Sequence, residues 1–242
     1  MILDGKTLKI VPFKDSRGHS GESGQLHIAE DSQGTQYLVK SKPVDVVNEY
    51  VAHRLGTIIG VPTSDAVLIK NNGSVEVGIV YEKDFKRANA DQFIGPEHYP
   101  DDSPYLADLM AYFAFRNMIV IEDNIQLAFA RNHLISFDYA ESFYLTDYTF
   151  AILKNTGNIS HPVALFNNHL FLDSGYRTAI RIMKRPDSEY LLDAYLDPLF
   201  NFQDADLKPI LDDLDSVFPR PVSAFYRACF DSIGSGISDL SK

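Results

Sequence analysis

The chain has 242 residues, 45% of them hydrophobic and 23% charged, an ordinary globular composition that is large enough for one sizeable domain or two lobes. A formal net charge of −11, with lysines and arginines in nothing longer than pairs such as Lys184-Arg185, excludes a duplex DNA or RNA binder, because nothing neutralises a row of phosphates. The single cysteine, Cys229, excludes an internal disulfide and a thiolate zinc cluster and suits a reducing, cytoplasmic setting; no apolar run approaches the roughly 18 residues of a membrane span, so neither a signal peptide nor a membrane helix is expected.

In chain order, the first hundred residues read mostly as strands. Leu8, Ile10 and Val11 belong to one; residues 25–30 and 36–39 form two more, joined by the hairpin composition Asp31-Ser32-Gln33-Gly34. Before that hairpin lies DSRGHSGESG, residues 15–24, whose glycines and serines make a flexible loop. From Val46 to Ile59 the spacing turns helical, with Val47, Tyr50, Val51, Leu55, Ile58 and Ile59 on the apolar face and Gly60 then Val61-Pro62 as the stop. Strands resume at 66–70 and 75–81 around Asn72-Gly73, a strong hairpin signal.

The polar stretch ending in HYPDDSP, residues 98–104, reads as a boundary between lobes. Beyond it, residues 106–120 are apolar on nearly every side, as in a helix buried at the centre of a lobe. Two short strands follow, at 126–129 and 133–137, turned by Ala130-Arg131-Asn132. The aromatic run Phe143, Tyr144, Tyr148 and Phe150 reads as lobe core. Helices are expected at 176–184, 190–199, 207–218 and 222–230, the last followed by a Gly/Ser tail. The pattern is α+β: a β-rich N-lobe at 1–85, a connection at 86–104 and a mainly helical C-lobe at 105–242, with a cleft between them suited to a small ligand.

Four features along this scaffold fit nucleotide binding. Glycines 18, 21 and 24 would let backbone N–H groups approach phosphate oxygens, although a plain connecting loop has the same composition. Lys40 ends a strand and Glu49 lies early in the next helix; such a lysine–acid pair holds phosphates in protein kinases, and the ordinary alternative is a surface lysine and a glutamate at a helix N-terminus. The hairpin from Asn124 to Phe137 returns the chain to its origin, so Asn124 and Asp138 would emerge on one side and could offer an amide oxygen and a carboxylate to Mg²⁺; both residue types also terminate strands for purely local reasons. Val80-Tyr81-Glu82-Lys83-Asp84-Phe85 leaves the sheet where a backbone segment could hydrogen-bond an adenine edge.

Taken in order, SRGHSGESG, YLVK, NEYVAHRLGTIIGVP, IVYEKDF and NIQLAFARNHLISFDYAESF resemble the HipA-like kinases, a bacterial branch of the protein-kinase-like fold. NEYVAHRLGTIIGVP carries most of the resemblance, and LKPILDDLDSVFPRPVSAF resembles the family's C-terminal end. The resemblance implies a bilobal protein-kinase-like fold. It also implies that Ser20, Gly21, Ser23 and Gly24 cover the phosphates of ATP and that Lys40 contacts them with Glu49 as partner. Glu82 would lie beside the nucleotide, with Asn124 and Asp138 holding Mg²⁺. Family members phosphorylate serine or threonine in proteins, and several are toxins acting on translation-related enzymes, so the implied partners are a nucleotide and a protein substrate or regulatory protein.

One position departs from the family. A catalytic aspartate stands about five residues before the asparagine in its members, and here that place is Ile119, which cannot accept a hydroxyl proton. Asp123 or Glu122 would have to substitute, but Asp123 as base would move the metal ligand to the neighbourhood of Ala128, which cannot serve. The resemblance therefore implies either an impaired protein serine/threonine kinase or a pseudokinase acting as a nucleotide-binding or protein-interaction module.

Other chemistries are set aside. The seven histidines form no HExxH, and no GxSxG occurs. Cys229 lies among Phe225, Tyr226 and Phe230 and reads as a packing residue. The aspartates at 204, 206, 212, 213 and 215 lack the spacing and central glycine of an EF-hand loop.

Overall fold

A computed structural model describes residues 1–11, 26–82, 84–95, 99–100, 102–121, 126–172, 174–204 and 207–240. Its N-terminal half is built on a six-stranded sheet in the order β1-β5-β6-β4-β3-β2. The strands are β1 (Ile2–Asp4), β2 (Lys9–Val11), β3 (His27–Glu30), β4 (Gln36–Lys40), β5 (Ala66–Asn71) and β6 (Ser74–Val80). Only β1, which the sequence pattern does not reveal, runs parallel to its neighbour, β5.

Both expected hairpins form, each for a local reason. Asp31 Oδ1 accepts the backbone N–H groups of Gln33 and Thr35, each at 2.9 Å, closing the β3–β4 turn. Between β5 and β6, Asn72 and Gly73 take φ values of 47° and 91°, the left-handed pair that a two-residue hairpin needs.

Helix α1 (Pro43–Ile59) joins β4 to β5, beginning on proline and ending on Gly60 at φ 83°. It packs on β5 and β6 on one side and on helices of the second lobe on the other. Burial on both sides explains why Val46, Val47, Tyr50, Val51, Ala52 and Leu55 are all completely inaccessible. A single apolar cluster runs from the sheet through α1 into the helical half, so this helix is a wall shared by the two lobes.

The second lobe begins with α2 (Pro104–Met118), buried as its composition requires. A small antiparallel sheet lies beside it, β7 (Lys86–Ala88), β8 (Leu127–Ala130) and β9 (His133–Ser136), in that order. Arg131 and Asn132, both left-handed, make the β8–β9 turn. Within 86–104 the described residues are built into the second lobe: β7 pairs with β8, Phe93 is fully buried, and Arg185 donates to Tyr99 O at 2.7 Å.

Helices α3 (Asp147–Thr156), α4 (Ser160–His169), α5 (Gly175–Ile182), α6 (Glu189–Asp204), α7 (Lys208–Val217) and α8 (Arg220–Leu240) complete the fold. Helices α3 and α4 depart from the sequence reading, and so does the reading of Tyr148 as core: on α3, Phe150 and Leu153 face inward while Tyr148 is 71% exposed. The Gly/Ser tail is also helical, because Ile233 and Ile237 continue the apolar face of α8 and a side chain on Gly236 would stand 3.0 Å from Leu172 Cδ1. Tertiary packing here overrides the low helix propensity of glycine. Among the described residues no helix is long and apolar enough to cross a membrane.

Candidate functional site

Alternation along β4 sends Tyr37 and Val39 to one buried face and leaves Lys40 on the other, toward α1. There the Lys40 ammonium donates to Glu49 Oε1 and, at 2.7 Å, to Asp138 Oδ1. Glu49 is wholly inaccessible, Lys40 is 16% exposed at its side chain and Asp138 37%, so Asp138 is the member of the cluster that solvent reaches most readily. The hairpin β8–β9 delivers Asp138, whose φ of 65° places it in the left-handed region that aspartate tolerates better than most residues.

Glu49 is satisfied from a second direction. Its Oε2 accepts the Tyr139 N–H at 3.0 Å, and His53 Nε2 lies 3.3 Å away, near enough for attraction but not aligned as a hydrogen bond. His53 Nδ1 is held 2.8 Å from Ser64 O and 2.9 Å from Thr63 Oγ1. The Tyr139 hydroxyl donates to Thr63 Oγ1 at 3.3 Å, and its ring meets His53 edge-on at 4.7 Å. One residue before Glu49, Asn48 donates from Nδ2 to Ala140 O at 2.7 Å and Leu145 O at 3.1 Å, and its Oδ1 accepts from Tyr226 at 2.7 Å.

These contacts set the charges. Burial disfavours the Lys40 ammonium, but the Glu49 carboxylate and then Asp138 outweigh it and raise the pKa above its ordinary value. Burial likewise pushes Glu49 up, but Lys40 and His53 prevail and hold it well below the carboxylate range. For Asp138, burial prevails over Lys40, and with Glu49 adding repulsion its carboxyl is raised.

The structure thus brings together Lys40, Glu49 and Asp138 among the residues singled out from sequence. Ser20, Gly21, Ser23, Gly24, Glu122, Asp123 and Asn124 lie outside the described residues. Glu82 sits where β6 leaves the sheet, and its carboxylate is turned to Arg131 at 3.2 Å. Arg131 also donates to Thr63 O at 3.1 Å and, through its backbone N–H, to Asp84 at 3.0 Å, fastening the chain between the sheets to the β8–β9 turn. Ile119 is fully buried and ends α2, its N–H donating to Phe115 O. Asn48, His53 and Tyr139 were not identified from sequence as parts of the site. The signal available for the first two was their place one and four residues from Glu49, on a helix whose other polar residues are Asp45, Arg54 and Thr57.

The donor set suits Mg²⁺ only in company with phosphate. Among the described residues, no group of three His, Cys, Asp or Glu side chains could hold a metal ion unaided; a carboxylate beside a buried ammonium would need further oxygens, such as those of phosphates, to complete a Mg²⁺ shell.

No family model matches the chain, and no curated protein matches it. Its structure is similar to the crystal structure of a Helicobacter pylori proinflammatory kinase, CtkA, with a TM-score of 0.64 and 15% identity over 99% of this chain and 96% of that one. At that identity the similarity establishes the fold: a kinase-like, bilobal α+β architecture with a β-rich N-lobe and a mainly helical C-lobe.

Proposed function

We propose that the chain is an ATP- and Mg²⁺-binding domain of the HipA-like type, built as a protein serine/threonine kinase but impaired in phosphoryl transfer. The observation that carries this reading is the convergence of Lys40, Glu49 and Asp138, from strand, helix and hairpin, into one charge cluster. Lys40 would bind phosphate oxygens, with Glu49 holding its ammonium in place. Asp138 and Asn124 would hold Mg²⁺, which neutralises phosphate charge when bound. Residues 20–24 would cover the phosphates, and the segment around Glu82 would face the base.

Impairment follows from Ile119. A side chain that is apolar and completely buried can neither take a proton from an acceptor hydroxyl nor orient it. The same observation favours a second reading on the same scaffold, a pseudokinase that binds nucleotide or a regulatory protein without transfer. Partner proteins, a protein substrate in the first case and a regulatory one in the second, belong to these readings, as do the division into lobes at 1–85 and 105–242 and a cytoplasmic setting.

Thermal denaturation with millimolar ATP, with and without Mg²⁺, tests the shared premise. A ligand that binds only the native state raises Tm by mass action, so a rise that grows with Mg²⁺ is expected, and no rise in either condition overturns nucleotide binding. Intact mass after incubation with Mg²⁺ and ATP separates the two readings: slow phosphate gain that Asp138→Ala abolishes marks a kinase, and none marks a pseudokinase.

A further inference from the structure

We propose that Asn48 is a positioning residue that holds the turn carrying Asp138, so that α1 is latched to that turn and the site stands assembled before any ligand arrives. The inference rests on the nucleotide-site reading for its functional meaning and on the following contacts for its physics.

Asn48 is fully buried, and its amide is used to capacity in direction if not in number. Both acceptors in front of Nδ2 are backbone carbonyls, Ala140 O and Leu145 O, and the group behind Oδ1 is the Tyr226 hydroxyl. Carbonyls only accept, so the orientation of the amide is settled by its partners, and an aspartate in its place would set an oxygen against two oxygens.

The two carbonyls span the stretch that follows Asp138. Within that stretch Phe143 and Tyr144 adopt φ values of 58° and 53°, and Asp138 itself 65°. Left-handed conformations at non-glycine residues persist where surrounding contacts over-determine them. Asn48 clamps the stretch at Ala140 and Leu145, while the adjacent Glu49 clamps it at the Tyr139 N–H. Consecutive residues of α1 therefore hold both sides of the left-handed run, and Tyr226 of α8 braces the clamp from the helical lobe. Swinging α1 away would strand the buried Leu145 carbonyl and the part-buried Ala140 carbonyl without this donor. The geometry opposes such a swing, so the Lys40–Glu49 pair is a fixed feature of the domain.

The test uses the full chain and two readouts: amide hydrogen exchange over residues 139–146 without nucleotide, and the factor by which Mg²⁺ tightens ATP binding. Asn48→Ala is expected to speed exchange over 139–146 about tenfold while α2 stays protected, and to cut the Mg²⁺ factor by about tenfold. Val51→Ala, a cavity at a side chain of the same helix that makes none of these hydrogen bonds, is expected to change neither. Should Asn48→Ala not fold, Tyr226→Phe removes only the hydroxyl that braces the amide from α8 and is expected to shift both readouts in the same direction, less far. Exchange over 139–146 no faster than in Val51→Ala overturns the latch, and an unchanged Mg²⁺ factor overturns the positioning of Asp138. A wild-type chain that binds no ATP sinks the nucleotide reading and the role toward Mg²⁺ together, while the exchange comparison still decides whether Asn48 is a latch.

Discussion

Lys40 Nζ lies 2.7 Å from Asp138 Oδ1 although 98 positions separate the two residues in the chain. The contact joins the end of a strand in one lobe to the end of a hairpin in the other, and Glu49, buried behind it, shares the same ammonium. Removing members of this cluster should have unequal effects. Lys40→Met leaves Glu49 charged and inaccessible with its main counter-ion gone, and should lower stability by about 3 kcal/mol in urea denaturation. Asp138→Asn, at the most exposed member of the cluster, should change stability by about 1 kcal/mol or less.

The cluster also sets a pH dependence. Glu49 is held below its ordinary 4.5, so its contribution is complete above pH 4.5 and is lost as pH falls through the depressed folded value. Lys40 is held above its ordinary 10.5, so its contribution is complete below pH 10.5 and is lost as pH rises through the raised folded value. Asp138 runs the other way from Glu49: raised above 3.8, it favours folding below that pH and loses this contribution as pH rises through its folded value. The Tm difference between wild type and Lys40→Met should therefore be flat between about pH 6 and 10 and narrow below about pH 4.5. A difference undiminished at pH 3 contradicts the depressed Glu49.

Ile119→Asp places an acid where the resemblance to HipA-like kinases implies one, yet it should not confer transfer. The side chain is fully enclosed at the end of α2, so the change buries a carboxylate in place of a packed hydrophobe. A loss of about 3 kcal/mol or more, by denaturant unfolding, and no phosphate gain by intact mass are expected. A stable variant that gains phosphate would show that position 119 becomes accessible to an acceptor.

Gly175 opens α5 against the end of α2, where a Cβ would stand 1.9 Å from the Tyr195 hydroxyl and 2.2 Å from Asn117 Nδ2. Tyr195 is almost wholly buried and hydrogen-bonded to Asn117 at 3.1 Å, so neither group can retreat freely. Gly175→Ala should cost about 1–3 kcal/mol, and adding Tyr195→Phe should recover part of it, measured as a double-mutant cycle.

The parts of this fold legible in the sequence are those governed by local rules. Asn72-Gly73 announces its hairpin through backbone conformation, and Lys40 and Glu49 are brought together by a strand running straight into a helix. Asp138 was legible because a hairpin must return. Asn48 was not, since its three partners lie 92, 97 and 178 positions away. Gly234 and Gly236 are poor helix formers and hide the length of helix α8 in the sequence, and only the closeness of Leu172 shows why a residue without a side chain belongs at Gly236. Tyr148 was assigned to the core from the company it keeps, whereas the register of α3, set by the Thr146 cap, turns it outward.

On the proposed function, Lys40, Glu49 and Asp138 form a Mg²⁺–nucleotide site. Calorimetric titration of ATP into the wild-type chain, Lys40→Met and Asp138→Asn, each with and without Mg²⁺, tests it most directly. The expected result is wild-type binding strengthened by Mg²⁺, weakened about tenfold or more in Lys40→Met under both conditions, and insensitive to Mg²⁺ in Asp138→Asn. Wild-type heat indistinguishable from dilution, or equal affinities in all three proteins, would contradict it.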